Sequence, residues 1–366
     1  MPLQLFALLV LYQTLNTFVH LAVYATLRAA FGIGGPSAAL AFILLSFTFS
    51  TAAFLAFRFS NRFVSLYYRL SAYWLGLVNF LFAGGFVFFI LETIFYFLNI
   101  YIPPAVIGGF TFGAFTLLYL YATWSSGRSI ITKIKVALPG APAEWKGKRA
   151  VFVSDIHLGD VRGERFAAKM ADKIKELSPE IVFIGGDLYD GEKCDPEELP
   201  DPLQKLHVPK GIYFVSGNHE YRLKNVEGAF AAIKDLGIRR LHNEKVDLGG
   251  VDLVGVDYKS THHRGDFEKV LKDIQIDRTR PTILLKHVPS HLDVADDAGI
   301  TVGFFGHTHR GQIFPLSYLT RRIYKGFDYG FKNLNKMEVY TSSGVGTWGP
   351  PLRLGAKSEI VLVEFE

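Results

Sequence analysis

"FFGHTHRGQ", residues 304–312, places two histidines one residue apart directly after an apolar run, with glycines on either side. A short apolar run bounded by turn residues reads as a buried strand, so His307 and His309 fall just past a strand end. A surface histidine pair is weak evidence by itself, and its meaning depends on partners elsewhere in the chain. Four other stretches supply them. "VFVSDIHLG" (151–159) ends a run in Asp155 and His157, and "IVFIGGDLYDG" (181–191) ends one in Asp187. "IYFVSGNHEY" (212–221) ends in Asn218 and His219, and "ILLKHVPS" (283–290) in His287.

Working outward, strands are expected at 150–154, 181–185, 212–216, 253–256, 282–286, 302–305, 339–342 and 360–365. Helical patterns lie between some of them, at 164–177, where Phe166, Met170, Ile174 and Leu177 form one stripe, and at 226–236. Strands alternating with helices argue for β-α-β units, and in open α/β sheets ligands bind beyond the carboxyl ends of the strands. The polar residues above lie at those ends. Glycines 186, 217 and 306 let the backbone turn tightly there. One such dipeptide means little, but the ordered set predicts a metal site.

The series D-x-H, G-D, G-N-H-E, H and G-H-x-H resembles the calcineurin-like metallophosphoesterase superfamily, over about residues 130–366. "SSGVGTWGPPLRLGAKSEIVLVEF" (342–365) is similar to the final segment of bacterial members that join this domain to membrane spans. The resemblance implies a two-sheet α/β/β/α sandwich and a dinuclear centre. Asp155, His157 and His309 would hold one metal, Asp187 would bridge, and Asn218, His287 and His307 would hold the other. His219 would be catalytic, stabilising the transition state or protonating the leaving oxygen, with Glu220 orienting it. The chemistry suits these residue types. Two divalent cations lower the pKa of a shared water and clamp phosphoryl oxygens during in-line displacement, here of a phosphodiester or pyrophosphate. Mixed nitrogen and oxygen ligands suit Mn, Fe or Zn and do not choose among them.

The first third of the 366-residue chain is a different object. Residues 1–124 hold four arginines and one acid, Glu92, whereas 35 of the 39 basic and 33 of the 34 acidic side chains follow. Four apolar stretches, at 3–27, 38–57, 72–91 or longer, and 105–123, are long enough to cross a bilayer. The chain therefore divides into a four-helix transmembrane bundle, 1–126, and the metallophosphoesterase domain, 127–366. Arg58, Arg62 and Arg69 share a side with Arg128, Lys133 and Lys135, opposite Arg28. By the positive-inside rule the domain is expected to face the cytoplasm, and the resemblance to bacterial members implies an inner membrane. The one cysteine, Cys194, permits no intrachain disulfide and fits a reducing compartment. Gln13, Asn16 and His20 fall on one helical face, suited to interhelical hydrogen bonds or to a lipid headgroup. Gly109-x-x-x-Gly113 reads as close helix packing.

Charge in the domain is near balance, so nucleic acid is not expected as a partner. "PLSYLTRRIYKGFDYGFKNLNK" (315–336) mixes Arg321 and Arg322 with aromatics, which suits an anionic leaflet or equally the lid of a soluble site. Arg264, in "KSTHHRG" (259–265), is a further candidate for substrate phosphate, as an alternative to a plain exposed loop. The expected partners are membrane lipids and a lipid-linked, phosphate-containing substrate. A phosphoesterase of soluble nucleotides or phosphoproteins with a passive anchor is the alternative.

Overall fold

The computed structural model describes residues 3–59, 61–190 and 201–366; Cys194 lies outside them. The chain forms two compact units, Met1–Trp124 with Gly349–Leu352, and Ser125–Trp348 with Arg353–Glu366.

The first unit is helical: α1 (Leu3–Phe31), α2 (Pro36–Ser46), α3 (Thr48–Arg58), α4 (Arg62–Phe97) and most of α5 (Pro104–Ser126). Taking α2 and α3 together, four segments are long and apolar enough to span a bilayer. α1 packs on α2 and α4, and α3 on α4. The expected span 38–57 is interrupted at Phe47, and the carbonyl of Ser46 at that junction accepts from Asn16 Nδ2 (2.6 Å) and Gln13 Nε2 (3.3 Å). Side chains on a neighbouring helix thus satisfy backbone where a helix is broken, as a lipid environment demands. His20 Nδ1 bonds the carbonyl of Asn16 (2.8 Å) and its Nε2 accepts from Trp74 Nε1 (3.0 Å), so the polar face of α1 makes interhelical bonds. Two expectations fail. Residues 62–69, which lie before the expected start of the third span at 72, begin α4, because Asn61 caps it by accepting from the N–H groups of Phe63 and Val64. Gly109 and Gly113 face open space, whereas an added Cβ on Gly108 would lie 2.6 Å from that of Ala30, so the close approach is one residue away.

The second unit has two six-stranded sheets. The strands are β1 (Ser129–Val136), β2 (Arg149–Val153), β3 (Ile181–Ile184), β4 (Ile212–Phe214), β5 (Ile238–Arg240), β6 (Glu244–Asp247), β7 (Asp252–Gly255), β8 (Thr282–Leu285), β9 (Val302–Phe305), β10 (Gly330–Leu334), β11 (Met337–Thr341) and β12 (Ser358–Phe365). Their orders are β1-β12-β2-β3-β4-β5 and β10-β11-β9-β8-β7-β6. β2 to β5 are mutually parallel, as are β7, β8, β9 and β11. Strands covered on both faces read as unbroken apolar runs, and β3, β8 and β9 are buried throughout.

Phe152 and Phe183 of one sheet meet Phe304 of the other, with ring centres 5.3 and 5.9 Å apart, in a core that fills the space between the sheets. On the outer face of the first sheet pack α6 (Glu164–Glu176), the single turn α7 (Asp201–Gln204) and α8 (Val226–Asp235). On the outer face of the second pack α9 (Arg264–Ile274) and α10 (Leu292–Ala298). The expected α/β/β/α sandwich is the observed architecture. A last helix, α11 (Leu316–Ile323), precedes β10.

Candidate metal centre

The loops after β2, β3, β4, β8 and β9 bring the five motifs together. The first two run side by side, since His157 N–H donates to Asp187 O (3.0 Å) and Leu158 N–H to Leu188 O (2.8 Å) beyond the strand ends. Asp155, His157, Asp187, His307 and His309 all have φ between 48° and 69°. A non-glycine side chain in the left-handed region is uncommon, and five in one site is strain of the kind that collects at functional sites. The glycines do two jobs. Gly186 has φ 93°, whereas Gly217 and Gly306 make room: a Cβ on Gly217 would sit 2.1 Å from Asp187 Oδ1, and one on Gly306 1.9 Å from Ser154 Oγ.

The side chains meet around Asp187. Its Oδ2 lies 3.2 Å from His287 Nε2 and 3.8 Å from His157 Nε2, and its Oδ1 accepts the His219 N–H (2.8 Å). On one side His309 Nε2 is 3.1 Å from His157 Nε2 and 3.4 Å from Asp155 Oδ1. On the other His307 Nδ1 is 3.2 Å from His287 Nε2. Three groups could each hold an ion: Asp155 with His157 and His309, Asp187 with His287 and His307, and His157 with Asp187 and His219. The third group allows His219, expected to be catalytic only, a ligand's place. Asn218 lies in the β4 loop with its Oδ1 buried and unpartnered.

This donor set fits metal ions. His287 Nδ1 lies 2.7 Å from the Gly185 carbonyl, and His157 Nδ1 3.2 Å from Asp190 Oδ1. Both oxygens accept only, so in the neutral rings Nδ1 carries the proton and Nε2 turns its lone pair inward, as a ligating histidine requires. Facing nitrogens at 3.1 Å, a buried acceptor without a donor and two carboxylates in one pocket are what a cation would reconcile.

A family model for calcineurin-like phosphoesterases matches residues 148–311. An uncharacterized metallophosphoesterase of Campylobacter jejuni is 33% identical over 239 residues, which cover 64% of this chain and 63% of that protein. A bovine transmembrane protein with metallophosphoesterase domain is 34% identical over 251 residues, 63% of this chain and 55% of its own. An uncharacterized metallophosphoesterase of Aquifex aeolicus is 32% identical over 220 residues, 58% of this chain but 83% of its own. The chain belongs to the calcineurin-like metallophosphoesterase family. It spans less than two thirds of the length of the Campylobacter and bovine relatives.

Within this metallophosphoesterase, electrostatics separates the histidines. Burial and the cationic His287 push His307 down to about 3, and burial with His157 holds His309 well below its usual range. For His287 burial acts downward, but the Asp187 carboxylate overrides it and raises the ring to about 9. Burial likewise opposes ionisation of Asp187, and the charge of His287 overcomes it, keeping the carboxyl well below its usual range. Asp187 and His287 are thus an ion pair when alone, and a metal would take the proton's place.

One expected role is corrected. Glu220 does not orient His219; its buried carboxylate accepts the N–H groups of Asp187 (3.0 Å), Leu188 (2.8 Å), Tyr189 (3.2 Å) and Gly217 (2.6 Å), clamping the β3 and β4 loops together. The carboxylate nearest the His219 ring is Asp190, 3.7 Å from Nδ1. Asp190 escaped the sequence reading although it is the second acid of "GDLYDG". So did Arg353, fully buried, which donates to the carbonyls of Ser343 (2.7 Å), Gly344 (3.1 Å) and Gly346 (2.6 Å) while Gly346 N–H donates to Asp155 O (2.8 Å). Of the three arginines considered for substrate phosphate, Arg264 is engaged by Glu268 and Asp293 at the start of α9, and Arg321 and Arg322 stand exposed on α11.

Proposed function

We propose that the chain is a membrane-bound, metal-dependent phosphoester hydrolase that cleaves a phosphodiester or pyrophosphate of a lipid-linked substrate. The observation that carries this reading is the convergence of six imidazole and carboxylate side chains, from four loops, around Asp187. Asp155, His157 and His309 would hold one divalent ion and His287, His307 and Asn218 a second, with Asp187 between them. Such ions supply Lewis acidity, lowering the pKa of a water and neutralising charge at phosphoryl oxygens. The protein's own part is to fix the ligands and to place a proton. Burial lowers the pKa of His219, which favours the uncharged ring, and the N–H of that ring can hydrogen-bond the leaving oxygen and stabilise the charge that develops there. Its ring stands edge-on to His157, centres 4.5 Å apart, which holds it beside the site.

Four apolar helices support a bilayer location, and the arginines at 58, 62 and 69, with the basic residues at 128, 133 and 135, support a cytoplasmic domain at the inner membrane. The purified full chain should contain divalent metal and hydrolyse an aryl phosphodiester, and Asp187→Ala should lose both. Hydrolysis that survives chelation and Asp187→Ala alike would end the metallohydrolase reading. Comparing lipidated and delipidated forms of one substrate tests the rest, since equal rates would favour a soluble phosphoester and a passive anchor.

A further inference from the structure

α11 is built inside out. A helix on a soluble surface turns its apolar stripe to the core and its polar face to water. Here Ser317 and Thr320 are the half-buried positions, and Thr320 Oγ1 bonds the carbonyl of Ser317 (3.1 Å) and Asp328 Oδ2 (3.3 Å). Leu316, Leu319 and Ile323, spaced three and four apart, are 51, 55 and 59% exposed, and no residue of the helix is buried. Single exposed apolar residues are ordinary, but a contiguous exposed patch marks an interaction site.

Charge selects the occupant. Residues 310–336 hold six basic side chains and one acid, Asp328, which is buried. Arg321 and Arg322 are exposed on the same helix, and Lys325 is exposed just after it. An apolar stripe bordered by arginine and lysine is the composition of a helix that lies in an anionic lipid interface. The same chain carries four helices apolar enough to span a bilayer, so a leaflet is within its reach. The helix also adjoins the site: it starts seven residues after His309, and the Tyr324 ring that follows it stands edge-on to His307, centres 6.4 Å apart.

We propose that α11 is an interfacial helix, with Leu316, Leu319 and Ile323 inserted among acyl chains of an anionic leaflet and Arg321, Arg322 and Lys325 on its headgroup phosphates. Docked in this way it sets the metal centre beside lipid phosphates; that consequence, unlike the docking, rests on the hydrolase reading above. The test uses the full chain with Cys194→Ser and Leu319→Cys, labelled with an environment-sensitive fluorophore in nanodiscs containing phosphatidylglycerol. Spin-labelled lipid should quench the probe several-fold more than aqueous iodide does, and a probe at Asp273→Cys should show the reverse. Quenching by iodide alone would overturn the proposal, as would shielding from both quenchers, the sign of a protein partner. In vesicles, Leu319→Asp with Ile323→Asp should slow cleavage of an embedded phosphodiester about tenfold and leave a soluble aryl diester unaffected. An equal loss on both substrates would overturn the docking role. Lipid quenching at position 319 in a protein that cleaves only the soluble diester would leave docking intact and end the lipid-substrate reading.

Discussion

Both units bury histidines, and they treat them differently. In the helical unit His20 is 1% exposed and complete: one ring nitrogen bonds a carbonyl and the other accepts an indole N–H. Around it Gln13, Asn16, Thr17, Ser46 and Ser50 pair donors with acceptors. In the α/β unit His157 and His309 turn nitrogens toward each other, His307 and His287 do the same, and Asn218 Oδ1 has no donor. Burial of polar groups is common to both. A closed hydrogen-bond inventory marks a structural network, and one that needs a further cation marks a site.

Removing that cation gives the sharpest test of the contrast. Chelation should abolish hydrolysis and lower the melting temperature of the α/β unit, because an ion present at a thousandfold its dissociation constant contributes about 4 kcal/mol to the folded state. Asp155→Asn should lower hydrolysis by roughly three orders of magnitude and make the melt less sensitive to chelator than that of the wild type, the contribution of one of the two ions being already gone. A metal-free protein that melts as the loaded one does would break the comparison.

The next effect divides ligand from catalyst at His219. His219→Asn should lower kcat by about a hundredfold, the scale of losing one hydrogen-bond donor to developing charge, with metal content unchanged. Loss of an ion in this variant would make His219 a ligand, as its grouping with His157 and Asp187 allows.

The candidate site was legible in the sequence because parallel strands covered on both faces are continuous apolar runs, and each ended in an Asp, Asn or His. The edges were not. β5, β6 and β10 are short and partly exposed, so none of them carries a continuous apolar run. The arginines at 62 and 69 lie outside the apolar stretch that begins at 72, yet Asn61 caps a 36-residue helix that includes both. Asp190 and Arg353 act through contacts between segments far apart in the chain, 33 residues from Asp190 to His157 and 44 from Arg353 to His309, so spacing could not reveal them. Inside-out packing of α11 is likewise a tertiary fact, since its periodicity is that of any amphipathic helix.

From the other side of the comparison, Asn16→Leu should destabilise the helical unit by about 1 kcal/mol, the usual scale of an interhelical hydrogen bond in a membrane protein. It should leave turnover of a soluble aryl diester unchanged. A large loss of turnover would mean that the closed network is functional after all.

The smallest effect concerns Asp257, a buried carboxylate of the α/β unit whose two oxygens both find donors without an ion. Ser216 Oγ (2.7 Å), Tyr221 OH, Arg240 (3.2 Å) and His242 (3.2 Å) converge on its Oδ2, and Lys259 N–H donates to Oδ1 (3.0 Å). Burial acts to raise this carboxyl, but the hydrogen bonds from Tyr221 and Ser216 and the nearby cations outweigh it, so its pKa falls below the ordinary 3.8. A depressed carboxyl stabilises the fold at pH above its unfolded value and loses that contribution as pH falls through the folded one. Thermal melts of the wild type and Asp257→Asn should therefore differ by a constant amount above about pH 5 and converge as pH falls below 4. Chelator should not alter that difference, because this network, like that of His20, needs no ion to close; a difference that tracks metal content would move Asp257 into the site.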